Sequence, residues 1–269
     1  MMKKVVVMIL AALFALFSIT AAAEEKTDIV YSKSQGPYTE LFEAAIVPIL
    51  EGQGYTVNGI DFSELLTADI ALNDGDVDFN VEQHMAYLEN FNANYSANLV
   101  AVSSIPTVPA GLYSATHAAI DEVTAGAKIA VPNDASNTAR AYALLQKIGW
   151  IKLDESVALS DVTQDDIVEN PYTIELIEMK SLTIPASLQD FDYAVITGSI
   201  VYNAGINAST ALATEDILPH LVLKLVVKAE DQDAQWARDI AAAYRSDAFK
   251  QYMNENNDGL WWIPDELTW

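Results

Sequence analysis

The sequence predicts an α/β protein of two lobes, each a mostly parallel sheet flanked by helices, with the chain crossing between them twice. Three observations carry this. Short β-type segments alternate with amphipathic helical ones, the rhythm of parallel strands covered by helices. Proline-bearing segments interrupt that rhythm at 105–111 (IPTVPAG) and around Pro219, and strand and helix patterns resume after each. The 269 residues, 51% of them hydrophobic, exceed what one small core needs and suffice for two.

Residues 28–32 (DIVYS) read as a strand. Gly36-Pro37 opens a helix whose apolar residues Tyr38, Leu41, Phe42, Ala45 and Ile49 recur at helical spacing, and Gly52 and Gly54 stop it. A strand at 55–60 follows, and Ser63 is placed to cap a helix running through Leu72. Strands at 77–81 and 98–103 flank a helix from about 84 to 92. Beyond the first crossing come a strand at 128–131, a helix over 136–148, a strand at 173–178, a helix around 184–189 and a strand at 193–197. After Pro219, residues 221–227 (LVLKLVV) return to the first lobe, with helices near 235–244 and 246–254. Lobe I is therefore 24–108 with 222–255 and lobe II 109–221; the crossings lie near 109–111 and 219–222, and a tail, 256–269, packs on the body. A lobe that is left and re-entered is the architecture of a hinged clamp.

Composition excludes whole classes of function. With 38 acidic and 14 basic residues, and a net charge of −24, the chain repels phosphates, so nucleic acid is not a partner. The same excess argues against a basic membrane-surface role and suits a salty medium, where screening relieves self-repulsion. The sequence has no Cys, which excludes disulfides, thiol catalysis, Cys-based zinc sites and a bacterial lipoprotein anchor built on a processed Cys. Lys3 and Lys4, the apolar run 5–17 and Ala21-Ala22-Ala23 form a signal peptide, 1–23. The alternative is an uncleaved anchor, for which the stretch to Ala23 is barely long enough, and the run ends in small residues rather than a basic stop. On this reading the mature protein is periplasmic, exported by a cleavable signal peptide and not lipid-anchored.

Signatures of catalysis are missing: the chain has no P-loop, no G-x-S-x-G, no H-E-x-x-H and no G-x-G-x-x-G. Asp74, Asp76, Asp78 and Asn80 alternate as in a calcium loop, but the glycine and terminal Glu are misplaced, and a helix end, turn and strand start explain them better. Glu82-x-His84 offers two metal ligands without a third. The stronger signals sit in strand-to-helix turns, where open α/β sheets hold ligands. In 131–140 (VPNDASNTAR), Ser136 or Asp134 caps a helix and puts Arg140 one turn in, so backbone N–H groups, the positive helix end and a guanidinium converge on a point suited to a carboxylate. The alternative is a surface Arg paired with one of many acids. In 80–87, His84 and Tyr87 share a helix face, as a ligand-facing pair or as a structural hydrogen-bonder and its neighbour. Trp261, Trp262 and Trp269 read as residues packing the terminal segment, with a ligand platform or permease contact as the other option.

At these turns the chain resembles the methionine-binding (MetQ/NlpA) family of ABC-transporter substrate-binding proteins. The matching stretches are Gly36-Pro37-Tyr38, Phe62-Ser63, ALNDGDVD at 71–78, Gln83-His84 with Tyr87-Leu88, and Gly111-Leu112-Tyr113-Ser114. Further on come VPNDASNTAR running into ALLQKIGWIKL, DIVENP at 166–171 and AYRSDAFK at 243–250. The resemblance spans nearly the whole mature chain in order and implies a type II-like periplasmic-binding-protein fold that closes on a small ligand and presents it to an inner-membrane ABC permease. It implies that Arg140 grips the ligand carboxylate and that His84, Tyr87, Asn137 and Tyr38 belong to the pocket. The chain departs from the family at Glu82, usually Phe, at Leu65, usually Tyr, and at Thr197 and Val222, usually Asn. Without those Asn, a buried ligand ammonium goes unpaired and methionine binds poorly unless another group replaces them. Glu82 either supplies that group or points to solvent.

The sequence thus implies a solute-binding receptor, a monomer without cofactor or metal, whose ligand is an amino-acid-like carboxylate that need not be methionine. Two rivals stand beside it: a small hydrolase or lyase using Glu82 and His84 as an acid/base pair, and a metal-delivery protein using Glu82, His84 and His220.

Overall fold

The computed structural model describes residues 26–257 and 259–267; the signal-peptide reading of 1–23 and the packing expected of Trp269 lie outside the described residues. In chain order the strands are β1 (Asp28–Ser34), β2 (Thr56–Phe62), β3 (Phe79–His84), β4 (Leu99–Ser104), β5 (Gly111–Tyr113) and β6 (Lys128–Pro132). They continue with β7 (Lys152–Leu153), β8 (Ile167–Glu169), β9 (Glu175–Met179), β10 (Tyr193–Ile196), β11 (Ala213–Thr214) and β12 (Leu223–Lys228). One five-stranded sheet has the order β2-β1-β3-β12-β4, the other β11-β5-β10-β6-β9, and β7 and β8 form a separate ribbon. Each five-stranded sheet is thus the centre of one lobe of an α/β fold.

Both sheets are mixed, with two parallel and two antiparallel ladders each. In the first, the reason is topological. The chain leaves from the end of β4 and returns at the start of β12, with Lys224 paired to Ser104 and Ile105 N donating to Leu223 O at 2.9 Å. Outward and return crossings therefore lie side by side, and β12 has to run against both its neighbours.

The helices are α1 (Pro37–Leu41), α2 (Val47–Gly52), α3 (Leu65–Asp74), α4 (Met85–Tyr95), α5 (Ala135–Lys147), α6 (Gly198–Asn203), α7 (Gln235–Ala243) and α8 (Asp247–Asn256). Alternation along β12 sends Leu225 and Val227 into a core with Phe42, Trp236 and Phe249, and Val226 into a second core with Leu72, Leu88 and Phe91. Each such fully buried side chain contributes roughly 1.5–3 kcal/mol.

Three local expectations are corrected. The helix expected from Gly36-Pro37 to Gly52 is broken by a π-turn over Phe42–Ile46, because Pro48 has no N–H and its ring crowds the carbonyl four residues back. Ser63 does not cap α3; Glu64 takes that position with no side-chain bond. The stretch near 184–189 is a 3-10 turn over Pro185–Asp190, too short to recover the cost of nucleating an α-helix.

The tail joins the crossing. Thr107 and Trp262 exchange backbone bonds of 3.0 and 2.9 Å, Trp261 packs edge-on against Tyr38 with centroids 5.5 Å apart, and Leu267 is buried. On the other side of the crossing, Gly198 meets backbone directly: an added Cβ would lie 2.7 Å from the carbonyl oxygens of both Val108 and Pro109 and would strike the Val108 side chain. Gly198→Ala should therefore cost about 2 kcal/mol by overpacking, read as a lower urea midpoint; an unchanged midpoint would contradict this packing.

Candidate functional site

The ends of β3 and β6 face each other across the two lobes, and the helix that follows each strand carries the groups that meet there. In α5 the cap is Asp134, whose carboxylate accepts Asn137 N at 3.0 Å and Asn137 Nδ2 at 2.9 Å. That second bond fixes the amide orientation and turns Asn137 Oδ1 toward the first lobe.

In α4 the cap is the ring of His84, whose Nδ1 accepts Tyr87 N at 3.2 Å. With Nδ1 an acceptor, the proton of the neutral ring is on Nε2, which donates to Asn137 Oδ1 at 3.2 Å. The bond joins the lobes. Burial and, next, the Arg140 charge pull the His84 pKa down to about 3, against the opposing pull of Asn137. His84 is therefore a neutral donor at any physiological pH.

Arg140 is buried, not on the surface, and its partner is a residue that no motif picked out. Its Nε donates to Glu215 Oε2 at 2.5 Å and its Nη2 to Glu215 Oε1, a side-on ion pair with both side chains about 5% exposed or less. Glu215 Oε1 also accepts Ala110 N at 2.6 Å. The end-on edge of the guanidinium is held more loosely, by Asn137 Oδ1 at 3.4 Å and Val108 O at 3.5 Å. Burial lowers the Arg140 pKa and Glu215 raises it; the balance is upward, and the guanidinium stays charged.

The other sequence-derived positions are spread over the two lobes. Tyr38 is buried and its hydroxyl accepts Val108 N at 3.1 Å, with burial pushing its pKa up to about 12. Thr197 is buried at the start of α6 and Val222 is buried just ahead of β12. Glu82 does not point to solvent, and its hydrogen bonds are not to His84. It accepts Ser34 N at 2.9 Å, Thr39 Oγ1 at 2.6 Å and the Ser34 hydroxyl, bracing β1 against α1, and burial raises its pKa despite these bonds. Leu65 opens α3 half-buried; its neighbour Leu66 lines an open cleft of about 220 Å³, together with Tyr87, Asn90 and Phe91 of α4 and Asp134 and Ser136 of the opposite lobe.

Further bonds close the lobes around the centre. Tyr202 OH donates to Glu40 at 2.6 Å, Asn203 Nδ2 donates to Gln35 O at 2.8 Å, and Lys180 pairs with Glu64 at 3.6 Å. Asn203 comes so close to Gly36, at φ 149°, that a Cβ there would lie 3.1 Å from its Oδ1.

Behind the site lies a second buried carboxyl that sequence reasoning missed. Asp69 of α3 accepts Asn80 Nδ2 at 2.7 Å and Gln83 Nε2 at 2.6 Å, both on one oxygen; its other oxygen has no partner. Burial pushes its pKa up to about 7, the two amides working against the shift. Asn80 is thus spent on a buried amide network. Asp78 caps the β1 edge by accepting Val30 N at 2.8 Å, so the acidic alternation at 74–80 serves a helix end and a strand start. Among the described residues, no three or more His, Asp or Glu side chains are arranged to hold a metal ion.

A model of the NlpA lipoprotein family matches residues 29–262. The D-methionine-binding lipoprotein MetQ of Escherichia coli (strain K12) is 31% identical over 227 residues, covering 83% of each chain. Among solved structures, a nutrient-binding protein from Burkholderia cenocepacia bound to methionine superposes with a TM-score of 0.81 at 30% identity, over 87% of this chain and 99% of that one. An ABC transporter, periplasmic substrate-binding protein from Coxiella burnetii gives 0.81 at 31% identity, over 88% and 100%. These findings correct one expectation. The lack of Cys predicts a protein free of a lipid anchor, but the matching family and the curated relative are lipoproteins. A single missing residue type was too narrow a basis for that exclusion.

The Asp69 carboxyl makes a stability prediction. A folded pKa near 7 against an ordinary 3.8 means the folded state holds the proton longer, so this group's stabilisation is complete below about pH 4 and is lost as pH rises through about 7. From pH 5 to pH 8, Asp69→Asn should gain about 2 kcal/mol relative to the parent in urea unfolding. Parallel curves for the two proteins would refute it.

Proposed function

Because the chain belongs to the NlpA lipoprotein family, we propose that it is the solute-binding receptor of an ABC importer, taking a carboxylate-bearing, amino-acid-like solute between its lobes. What supports this reading is the buried guanidinium of Arg140, at the head of α5 and beside the His84–Asn137 bond that joins the lobes. Proteins similar to this one bind methionine, by their names, which makes methionine the first solute to test.

In this reading the ligand carboxylate takes the loosely held edge of Arg140, a charge-assisted contact in a water-poor site. Asn137 and neutral His84 supply amide and imidazole groups beside it, Tyr87 forms the aromatic wall, and Tyr38 holds the crossing through Val108. Thr197 and Val222 offer no amide where the family carries Asn, so the ammonium needs another partner. Glu82, held by Ser34 and Thr39, is the candidate. Leu65, with Leu66, makes the apolar side. The receptor works as a single chain, performs no chemistry, and hands its solute to a membrane permease when the lobes part near the crossings.

A hydrolytic role for Glu82 with His84 has little support, since each is hydrogen-bonded to different neighbours and His84 is unable to take up a proton near neutrality.

Calorimetry with a panel of amino acids tests the receptor reading. Replacing Arg140 alone would strand the Glu215 charge, so the informative variant is Arg140→Gln with Glu215→Gln, which removes both charges together. Affinity for the bound amino acid should fall on the order of 100-fold. Equal affinity in the double variant would remove Arg140 as the anchor, and a parent protein that binds no amino acid would remove the receptor reading.

A further inference from the structure

The guanidinium has two edges on which it can hold a carboxylate, and the chain itself fills one of them. Glu215 takes the Nε–Nη2 edge, while Nη1 and the second Nη2 proton reach only neutral acceptors, Asn137 Oδ1 at 3.4 Å and Val108 O at 3.5 Å. Glu215 is itself pinned by Ala110 N at 2.6 Å. Arg140 is therefore unable to swing, and its remaining edge faces Asn137 Oδ1, the atom that also takes His84 Nε2 from the other lobe.

The pair also sets the charge of the site. Arg140 and Glu215 sum to zero, and both are buried. His84 and His220 both lie below their ordinary pKa, each mainly through burial, so neither adds a cation at neutral pH. Asp134, which acts on Arg140, and Glu82 bring no positive charge either. A solute that brings only a carboxylate would place an uncompensated negative charge in a low-dielectric space, at high cost; a solute that brings an ammonium as well would not.

We propose that Glu215 is a specificity-determining residue: it locks Arg140 side-on, leaves the end-on edge to the ligand carboxylate, and cancels the guanidinium charge so that the site selects net-neutral zwitterions over anions of the same shape. This rests on the receptor reading above. Glu215 touches the anchor and acts through it.

The test compares a free amino acid with its N-acetyl derivative, which keeps the carboxylate and side chain but loses the ammonium. Methionine and N-acetylmethionine are the first pair, replaced by whichever amino acid of the panel binds. The parent protein should prefer the free amino acid. In Glu215→Gln, which keeps the acceptor but drops the charge, the preference should shift at least tenfold toward the N-acetyl compound. Glu215→Asp, which keeps the charge, should retain the parent's preference even if both affinities fall. A purely structural Glu215 would weaken both compounds alike and leave the ratio unchanged, and that result overturns the proposal. So does a parent protein that binds the two compounds equally well, a measurement that needs no variant. Absence of any amino-acid binding by the parent overturns the receptor reading instead.

Discussion

Burying a guanidinium is possible only if nearly all its hydrogen bonds and its charge are answered, and the fold around Arg140 is organised by that demand. An isolated ion in a low-dielectric interior costs several kcal/mol, and only good geometry with additional bonds offsets it. Glu215 answers the charge, yet Glu215 lies at the start of the return crossing, while Val108 and Ala110 lie on the outward one. The ion pair therefore ties α5 to both connections between the lobes. Moving either crossing means moving the groups that keep the guanidinium satisfied, so the ion pair and the two crossings are one construction.

The opposing lobe reaches this point by an irregularity in β3. Between the pairs Gln83–Lys224 and Asn80–Val226, two residues of β3, Val81 and Glu82, face the single residue Leu225. Such a bulge adds a residue and turns the strand, so Asn80 and Gln83, three apart, come to one side and share the Asp69 oxygen. It also brings Glu82 toward Ser34 and Thr39 and delivers His84 to the head of α4 as its cap. A regular strand would have pointed Asn80 and Gln83 to opposite faces.

How much of this was legible in the sequence follows from the range of each interaction. The α5 cap and the position of Arg140 are local features, set within seven residues by side chains with strong capping preference; the sequence narrows the cap to Ser136 or Asp134 and puts Arg140 just inside the helix, and the structure uses Asp134. The alternation of LVLKLVV is likewise local and yields β12. His84 was found as a helix-start residue but not as a cap, because an imidazole is not among the preferred capping groups. Glu215 and Asp69 were missed. One pairs with a residue 75 positions away, and the other, on the buried face of α3, meets its two amides through a bulge in β3 that leaves no mark on a two-residue period. Nor does Pro48 announce whether its helix will end or widen, and here it widens.

The tail holds the crossing from a further side. By pairing with Thr107, it lays a third strand-like segment beside the outward crossing, and Glu266 bonds the Ser104 hydroxyl, which also receives Lys224 Nζ at 2.7 Å from the return side. A crossing made of two free segments would bend wherever its backbone is softest. Here the lobe-I half is clamped from both flanks, and the Trp261 ring rests on Tyr38, whose hydroxyl holds Val108 N at 3.1 Å. Beyond Val108 on the way out and before Val222 on the way back, the crossings meet the Arg140 ion pair instead of the tail. There Ala110 N bonds Glu215 and Glu215 pairs with Arg140, so the ion pair sets the geometry of that stretch.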